Sequence, residues 1–271
     1  MSHQLLLESA GVSDIGKQRQ YNEDALVMND ELGLYAVADG MGGHIHGDVA
    51  SRVTIDTLLD EVAIHLGHNT SNLNQDICYV TIANAIEACN KLVLQKNVEN
   101  NCKVGEGMGT TLVGTYFLRH SMQTLLFNVG DSRIYRFRDG GLKQITRDHT
   151  MYQQWIDTGR QGAAPSKNVL VSAIGVVEEL SPDISLENVL SDDVYIVCSD
   201  GLSGLVDDES LQQYMKENYE LPILTICTQL IELANENGGS DNITVIIIRA
   251  ARQSNDIPVA EVDLEATIQR I

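Results

Sequence analysis

Five aspartates sit where apolar runs end: Asp24 in NED, Asp39 in ADG, Asp131 in VGDSR, Asp200 in CSDG and Asp241 in GGSDN. Four of the five have a glycine within two residues. A lone Asp in such a place is usually a turn former or a helix cap. Five in one local context are harder to read that way, because a sheet sets its strand ends side by side and can gather their carboxylates in one cleft. Unpaired there, they would repel one another too strongly for all to stay ionised. Divalent cations resolve that repulsion, and an oxygen-only donor set selects hard ions, Mg2+ or Mn2+, over zinc. Two such ions about 3.5–4 Å apart lower the pKa of a shared water and clamp an in-line displacement at phosphorus. The chemistry this pattern points to is metal-dependent hydrolysis of a phosphate ester.

The stretch Tyr35 to Gly47, YAVADGMGGHIHG, is where that chemistry would centre. Its alternating apolar start reads as a strand, which delivers Asp39 into a turn holding Gly40, Gly42, Gly43 and Gly47. Glycines there let backbone approach whatever the acid faces. Taken alone, the segment reads equally well as a tight strand-to-helix turn with an incidental Asp.

The elements that must position these acids follow from periodicity. Strands are expected at 5–12, 25–28, 34–38, 110–118, 123–129, 133–137, 142–145, 169–174, 184–189, 194–198 and 243–248. Arg138 to Gly141 (RDGG) marks a hairpin between two of them. Helical spacing marks 48–66, 77–98, 149–158, 210–219 and 221–235, with Pro222 near the start of the last. Strands, two helices, many strands, two helices and a last strand do not make a doubly wound α/β fold. The order suits an α+β fold: a four-layer α-β-β-α sandwich of two mainly antiparallel sheets flanked by helix pairs. One domain over residues 1–251 is expected, with an acidic C-terminal extension over 252–271.

Bulk properties narrow the partners. A net charge of −20 on 271 residues, with no basic stripe, makes nucleic acid and anionic membrane poor partners. No apolar run approaches the ~18 residues of a membrane span, and the N-terminus lacks the basic start of a secretory signal. Five cysteines (Cys78, Cys89, Cys102, Cys198 and Cys227) form no CxxC pair, so reduced thiols in a cytoplasmic protein are expected, with no zinc site. A monomer is expected.

Eight segments together resemble the PP2C-type (PPM) serine/threonine protein phosphatases of bacteria. They are GKQRQYNED (16–24), VADGMGGH (37–44), GMGTTLV (107–113), VGDSRIY (129–135), DHT (148–150), NVLVSAIG (168–175), SDGL (199–202) and SDNITV (240–245). They stand in the family's order and cover about residues 8 to 249. The resemblance implies that Asp39 bridges two Mn2+ or Mg2+ ions and that the Gly40 carbonyl ligates one of them. It implies that Asp200 and Asp241 complete the other's protein ligands, and that Glu23 and Asp24 hold coordinated waters. Asp131, with Asp200, would hold a third, weaker ion; on its residues alone Asp131 reads as well as a buried partner of Arg133. Arg19 would bind the substrate phosphate, where a guanidinium fork matches the oxygens, although an isolated arginine is ordinarily a surface residue. Asn242 would fix the Asp241 loop through its amide. GEGMGTT (105–111) superficially suggests a nucleotide loop, but it lacks the lysine and leads into a strand.

Implied substrates are phosphoproteins, those of a partner Ser/Thr kinase. Alternatives on the same scaffold are a non-catalytic phosphoprotein-binding regulator and a small-molecule phosphoesterase. The resemblance departs at Met41, where many eukaryotic members carry a histidine taken as general acid; His44, His46 or His149, or else a metal-bound water, would serve in its place, with His44 the first candidate. It departs again at the flap, about 151–167, which is shorter than in bacterial members and implies altered selectivity or a more open cleft.

Overall fold

A computed structural model describes residues 5–42, 46–67, 74–103, 105, 107–252 and 268–270. The strands are β1 (Leu5–Asp14), β2 (Asp24–Asn29), β3 (Leu34–Met41), β4 (Gly109–Thr110), β5 (Leu112–Leu118), β6 (Gln123–Val129), β7 (Arg133–Arg138), β8 (Gly141–Gln144), β9 (Asp183–Asn188), β10 (Val194–Cys198), β11 (Ile243–Arg252) and β12 (Ile268–Arg270). The helices are α1 (Gly47–Leu66), α2 (Gln75–Glu99), α3 (Met151–Asp157), α4 (Asp200–Ser203), α5 (Asp208–Asn218) and α6 (Ile223–Glu236). One sheet runs β12-β1-β11-β10-β7-β8 and the other β2-β3-β5-β6-β9, with β4 paired to β3. Every pairing is antiparallel except that of β12 with β1.

Period-two alternation assigns each strand's residues to different cores. In β3, Leu34, Ala36 and Ala38 pack under α1 and α2, while Tyr35 and Val37 face the opposite sheet. In β10, Val194, Ile196 and Cys198 pack against α4–α6, while Tyr195 and Val197 turn inward. Three buried clusters therefore separate four layers, α-β-β-α. Strands covered on both faces have no wet side, which is why ITVIII and VYIVC read as unbroken apolar runs. In the central layer, Phe117 meets Tyr35 of the neighbouring strand and Tyr195 of the opposite sheet edge-on, at centroid distances of 5.8 and 5.5 Å. Replacing Phe117 by Leu forfeits both edge-to-face contacts and is expected to cost about 1–2 kcal/mol in urea unfolding.

The structure differs from the expected elements in three places. The run 169–174 forms no strand: it makes only isolated bridges, Leu170 to Thr150 and Ile174 to Thr110, and Val169 and Val171 lie exposed. A short helix, α4, follows β10 directly. Residues 268–270, expected within an extension, add an edge strand beside β1. The helix α2 also passes as a membrane span by length and composition. Its inner face instead packs in the core, and its buried Asn97 donates to the Met108 and Gly175 carbonyls at 2.8 and 3.0 Å while accepting from the Met108 amide.

Candidate active site

The site is assembled at one end of the sandwich, beginning with two strands that place acids face to face. Asp24 opens β2 and Asp39 nears the end of β3, and the two are direct cross-strand partners. Asp39 is held by its backbone: its N–H donates to Thr111 Oγ1 at 3.0 Å, and its carbonyl accepts from the Thr111 amide and the Thr110 hydroxyl at 2.9 and 2.8 Å. At the next residue a side chain is excluded, since a Cβ on Gly40 would run into the Gly47 and Glu23 carbonyl oxygens. The start of α1 therefore lies directly against β3.

The other sheet brings Asp200, first residue of α4, and Asp241, just before β11. Their strands β10 and β11 are neighbours, and Gly201 lets the two turns touch, because a Cβ there would strike the Asn242 carbonyl. The Asp200 carboxyl lies within hydrogen-bonding reach of Asp39. Asp131 enters from the β6–β7 turn, beside Gly130 in the left-handed region (φ 115°).

Crowding shifts these acids upward. Burial, then the charges of Asp200 and Asp241, push Asp24 up to about 7, against the pull of its Thr244 and Ser199 hydrogen bonds. Burial and the neighbouring Asp200 and Asp148 push Asp131 up to about 7. Asp39 is held well above the usual carboxylate range by burial and by Asp24, Asp200, Asp241 and Asp131. Asp200 is raised by burial and Asp241. Counter-charge comes from the half-exposed Arg19, which donates to Asp241 Oδ2 at 2.6 Å, and from Arg133, which acts on Asp131 and Asp200.

Hydroxyls and an amide hold the acids in place. Asp24 Oδ2 accepts from Ser199 Oγ at 2.8 Å and Thr244 Oγ1 at 2.6 Å, while its buried Oδ1 has no partner. Asn242, 4% exposed, donates to the Ile15 and Tyr21 carbonyls at 3.0 and 2.9 Å and accepts from the Glu23 amide at 2.8 Å. Its side chain thus fastens residues 15–23 to the β11 turn. The Asp241 carboxylate is steadied instead by the Asn242 backbone N–H, at 2.9 Å.

This donor set suits hard divalent cations. It is all oxygen, its charges repel, and it contains a buried carboxylate oxygen without a partner. Among the described residues no three Asp, Glu, His or Cys side chains close into a single-ion cage.

Of the predicted residues, Glu23, Asp24, Asp39, Gly40, Asp131, Asp200, Asp241, Asn242 and Arg19 come together, while His44 lies outside the described residues. His149 is occupied, its Nδ1 accepting from the Gly130 amide at 3.3 Å and its Nε2 meeting Asp183 at 3.1 Å. Arg133 does not pair with Asp131; it forks onto Asp148 at 2.7–3.3 Å and donates to Tyr135 Oη. Sequence reasoning missed Thr111, Ser199 and Thr244. Hydroxyl residues beside TT, SDG and NIT motifs were the available signal, but their partners are distant in the chain.

The Protein phosphatase 2C family profile matches residues 11–222. The serine/threonine protein phosphatase PstP of Mycobacterium tuberculosis is 34% identical over 250 residues, which are 90% of this chain and 45% of that protein. The chain thus spans about half the length of that curated relative. The serine/threonine phosphatase stp of Listeria welshimeri is 33% identical over 245 residues, covering 87% of this chain and 93% of that one. A solved structure of the PstP catalytic domain with two manganese ions superposes with a TM-score of 0.77 at 33% identity, covering 91% of this chain and 99% of that one. Sequence, fold and the gathered carboxylates agree, and the chain belongs to the protein phosphatase 2C family.

Proposed function

We propose that this protein hydrolyses phosphoserine and phosphothreonine in proteins with the help of two Mn2+ or Mg2+ ions. The observation that carries the reading is the meeting of Asp24, Asp39, Asp131, Asp200 and Asp241 at one end of the sandwich, with Arg19 beside them. Asp39 would be shared between the ions, with the Gly40 carbonyl on one and Asp200 and Asp241 on the other. Asp131 with Asp200 would hold a third, weaker ion. Bound there, the ions supply Lewis acidity and a water of lowered pKa.

The chain's own groups do the rest. Glu23 and Asp24 orient water at the base of the site, and Asp24 is itself locked by the Ser199 and Thr244 hydroxyls. Arg19 reaches the substrate phosphate and offsets charge on the transferring group, so the contribution is positional and electrostatic. Water attacks phosphorus directly, and no side chain forms a covalent phosphoenzyme. Met41 carries no proton to give to the leaving alcohol. Relatives described as serine/threonine phosphatases support the substrate class, and the manganese-containing structure supports the metal. A Ser/Thr kinase as counterpart, a monomeric state and a cytoplasmic location complete the proposal.

Hydrolysis of a phosphothreonine peptide is expected to stop in EDTA and return with Mn2+. Undiminished turnover in chelator contradicts the proposal. Faster turnover of phosphorylated metabolites than of phosphopeptides would identify a small-molecule phosphoesterase instead. Phosphopeptide binding without turnover in Mn2+ would identify a regulator.

A further inference from the structure

A cavity of about 370 Å³ is lined by β6, β9 and residues 145–147. Asn128 pairs with Asp183, and Leu126 with Ser185, across β6 and β9. Cross-strand partners share a face, and Leu126 places that face toward the opposite sheet. Asn128 and Asp183 are at the end of the sandwich that carries the gathered acids, since Asn128 precedes Asp131 by three residues.

The polar groups of this cavity are set to accept. Asn128 is 1% exposed, and its NH2 is spent on the Gly130 and Arg147 carbonyls at 3.2 and 2.9 Å. That fixes the amide's orientation and leaves its buried Oδ1 without a partner. Asp183 meets His149 through one oxygen and is 60% exposed. Arg147, the cation in the lining, is paired with Asp157. Ile145 and Leu126 supply apolar wall for a stem. A carboxylate and an unpartnered amide oxygen side by side call for a donor-rich, positively charged head, and the chain's net charge of −20 favours the same sign.

We propose that the Asn128–Asp183 cavity receives the ammonium or guanidinium of a Lys or Arg side chain flanking the phosphorylated residue of the substrate. The proposal rests on the phosphatase reading above and names a feature of its substrate. Asp183 begins β9, which lies three strands from β3 in the order β3-β5-β6-β9. At about 4.8 Å per strand, and with Asp183 paired to Asn128, two residues along β6 from the level of Asp39, the separation is about 16 Å. An extended peptide together with the reach of a Lys stem covers that in about four residues.

The test uses phosphothreonine peptides carrying Lys or its uncharged isostere norleucine four residues before or after the phosphothreonine. The Lys peptide in one of the two directions is expected to show about five-fold higher kcat/KM, as a partly exposed charge pair allows. Because the ratio is read within each protein, changes to chemistry common to both peptides cancel. Asp183→Asn should bring the ratio near one, Asp183→Glu should keep most of it, and Ser185→Arg, which supplies a tethered cation, should abolish it. Free n-butylammonium should erode the ratio by slowing only the Lys peptide. Equal rates for both peptides in both directions overturn the proposal while leaving the phosphatase reading intact, whereas no hydrolysis of any peptide in Mn2+ defeats that reading itself. Equal slowing of both peptides by butylammonium would make the cavity a site for free amines and overturns the substrate role.

Discussion

Asp39→Asn is expected to lower phosphopeptide kcat/KM by at least about a thousand-fold in Mn2+, and to stabilise the metal-free protein above pH 7. The two effects have one cause. Asp39 is crowded by Asp24, Asp200, Asp241 and Asp131, which raise its pKa together with burial. Asp24 and Asp131 titrate at about 7 in the fold, against about 4 in an unfolded chain. Below about pH 4 both states keep these protons and the acids cost the fold nothing. Between about pH 4 and 7 the unfolded chain releases protons that the fold retains, so stability falls as pH rises, and the whole penalty stands above about 7. Asparagine keeps the shape and removes one charge. At pH 8 the metal-free variant should therefore melt higher than the native protein, by about 2–4 °C for each kcal/mol of repulsion relieved. At pH 4 the two should nearly coincide. Saturating Mn2+ should reverse the order, because the native protein gains more from the ion. Thermal melts at the two pH values, with and without Mn2+, measure all of this. A metal-free variant less stable than native at pH 8 would mean that the Asp39 carboxylate serves the fold, not the ions.

The five aspartates come together because their signal is local. An acid at the end of an apolar run, next to a glycine, marks a strand end, and sheet pairing does the rest: β2 with β3, and β10 with β11. The four layers were legible for a similar reason, since runs such as VYIVC leave no polar face for solvent. What was not legible depends on partners far apart in sequence. Ser199 reads as the cap of α4, yet its hydroxyl makes no cap bond and goes to Asp24, 175 residues away. The run 169–174 has strand composition, but no neighbouring strand lies along it, and two of its valines stay exposed. The cavity beside β9 leaves no mark at all, because Asn128 and Asp183 become neighbours only through strand register. Asp131 and Arg133, two residues apart, suggested an ion pair. Strand β7 begins at Arg133, and the guanidinium turns instead to Asp148, which lies beyond the next strand.

Asn242 is the second position at which a large loss is expected, and the direction of its hydrogen bonds separates two explanations. The amide donates to Ile15 and Tyr21 and accepts from Glu23, so it ties down the loop that carries both Arg19 and the Glu23–Asp24 pair. Asn242→Ala leaves two carbonyls and one amide unserved in a crowded site, at a cost of about 2–3 kcal/mol in stability. It should also lower Mn2+ affinity or kcat about 10- to 100-fold, as loss of a group that orients metal ligands does. Asn242→Asp is the sharper variant. Its volume is unchanged, but two donors become an acceptor facing the Ile15 and Tyr21 carbonyls, and another carboxylate joins an already repelling group. If Asn242 acts only by filling space, the Asp variant will resemble the native protein and the Ala variant will be the weaker of the two. If it acts through its NH2, the Asp variant will be at least as impaired as Ala, with Mn2+ affinity falling further below native as pH drops toward 5 and protons compete for the acids. Mn2+ titration followed by calorimetry at pH 5.5 and 7.5, beside urea unfolding of each variant, distinguishes the two. The buried amide and its three backbone partners favour the second outcome.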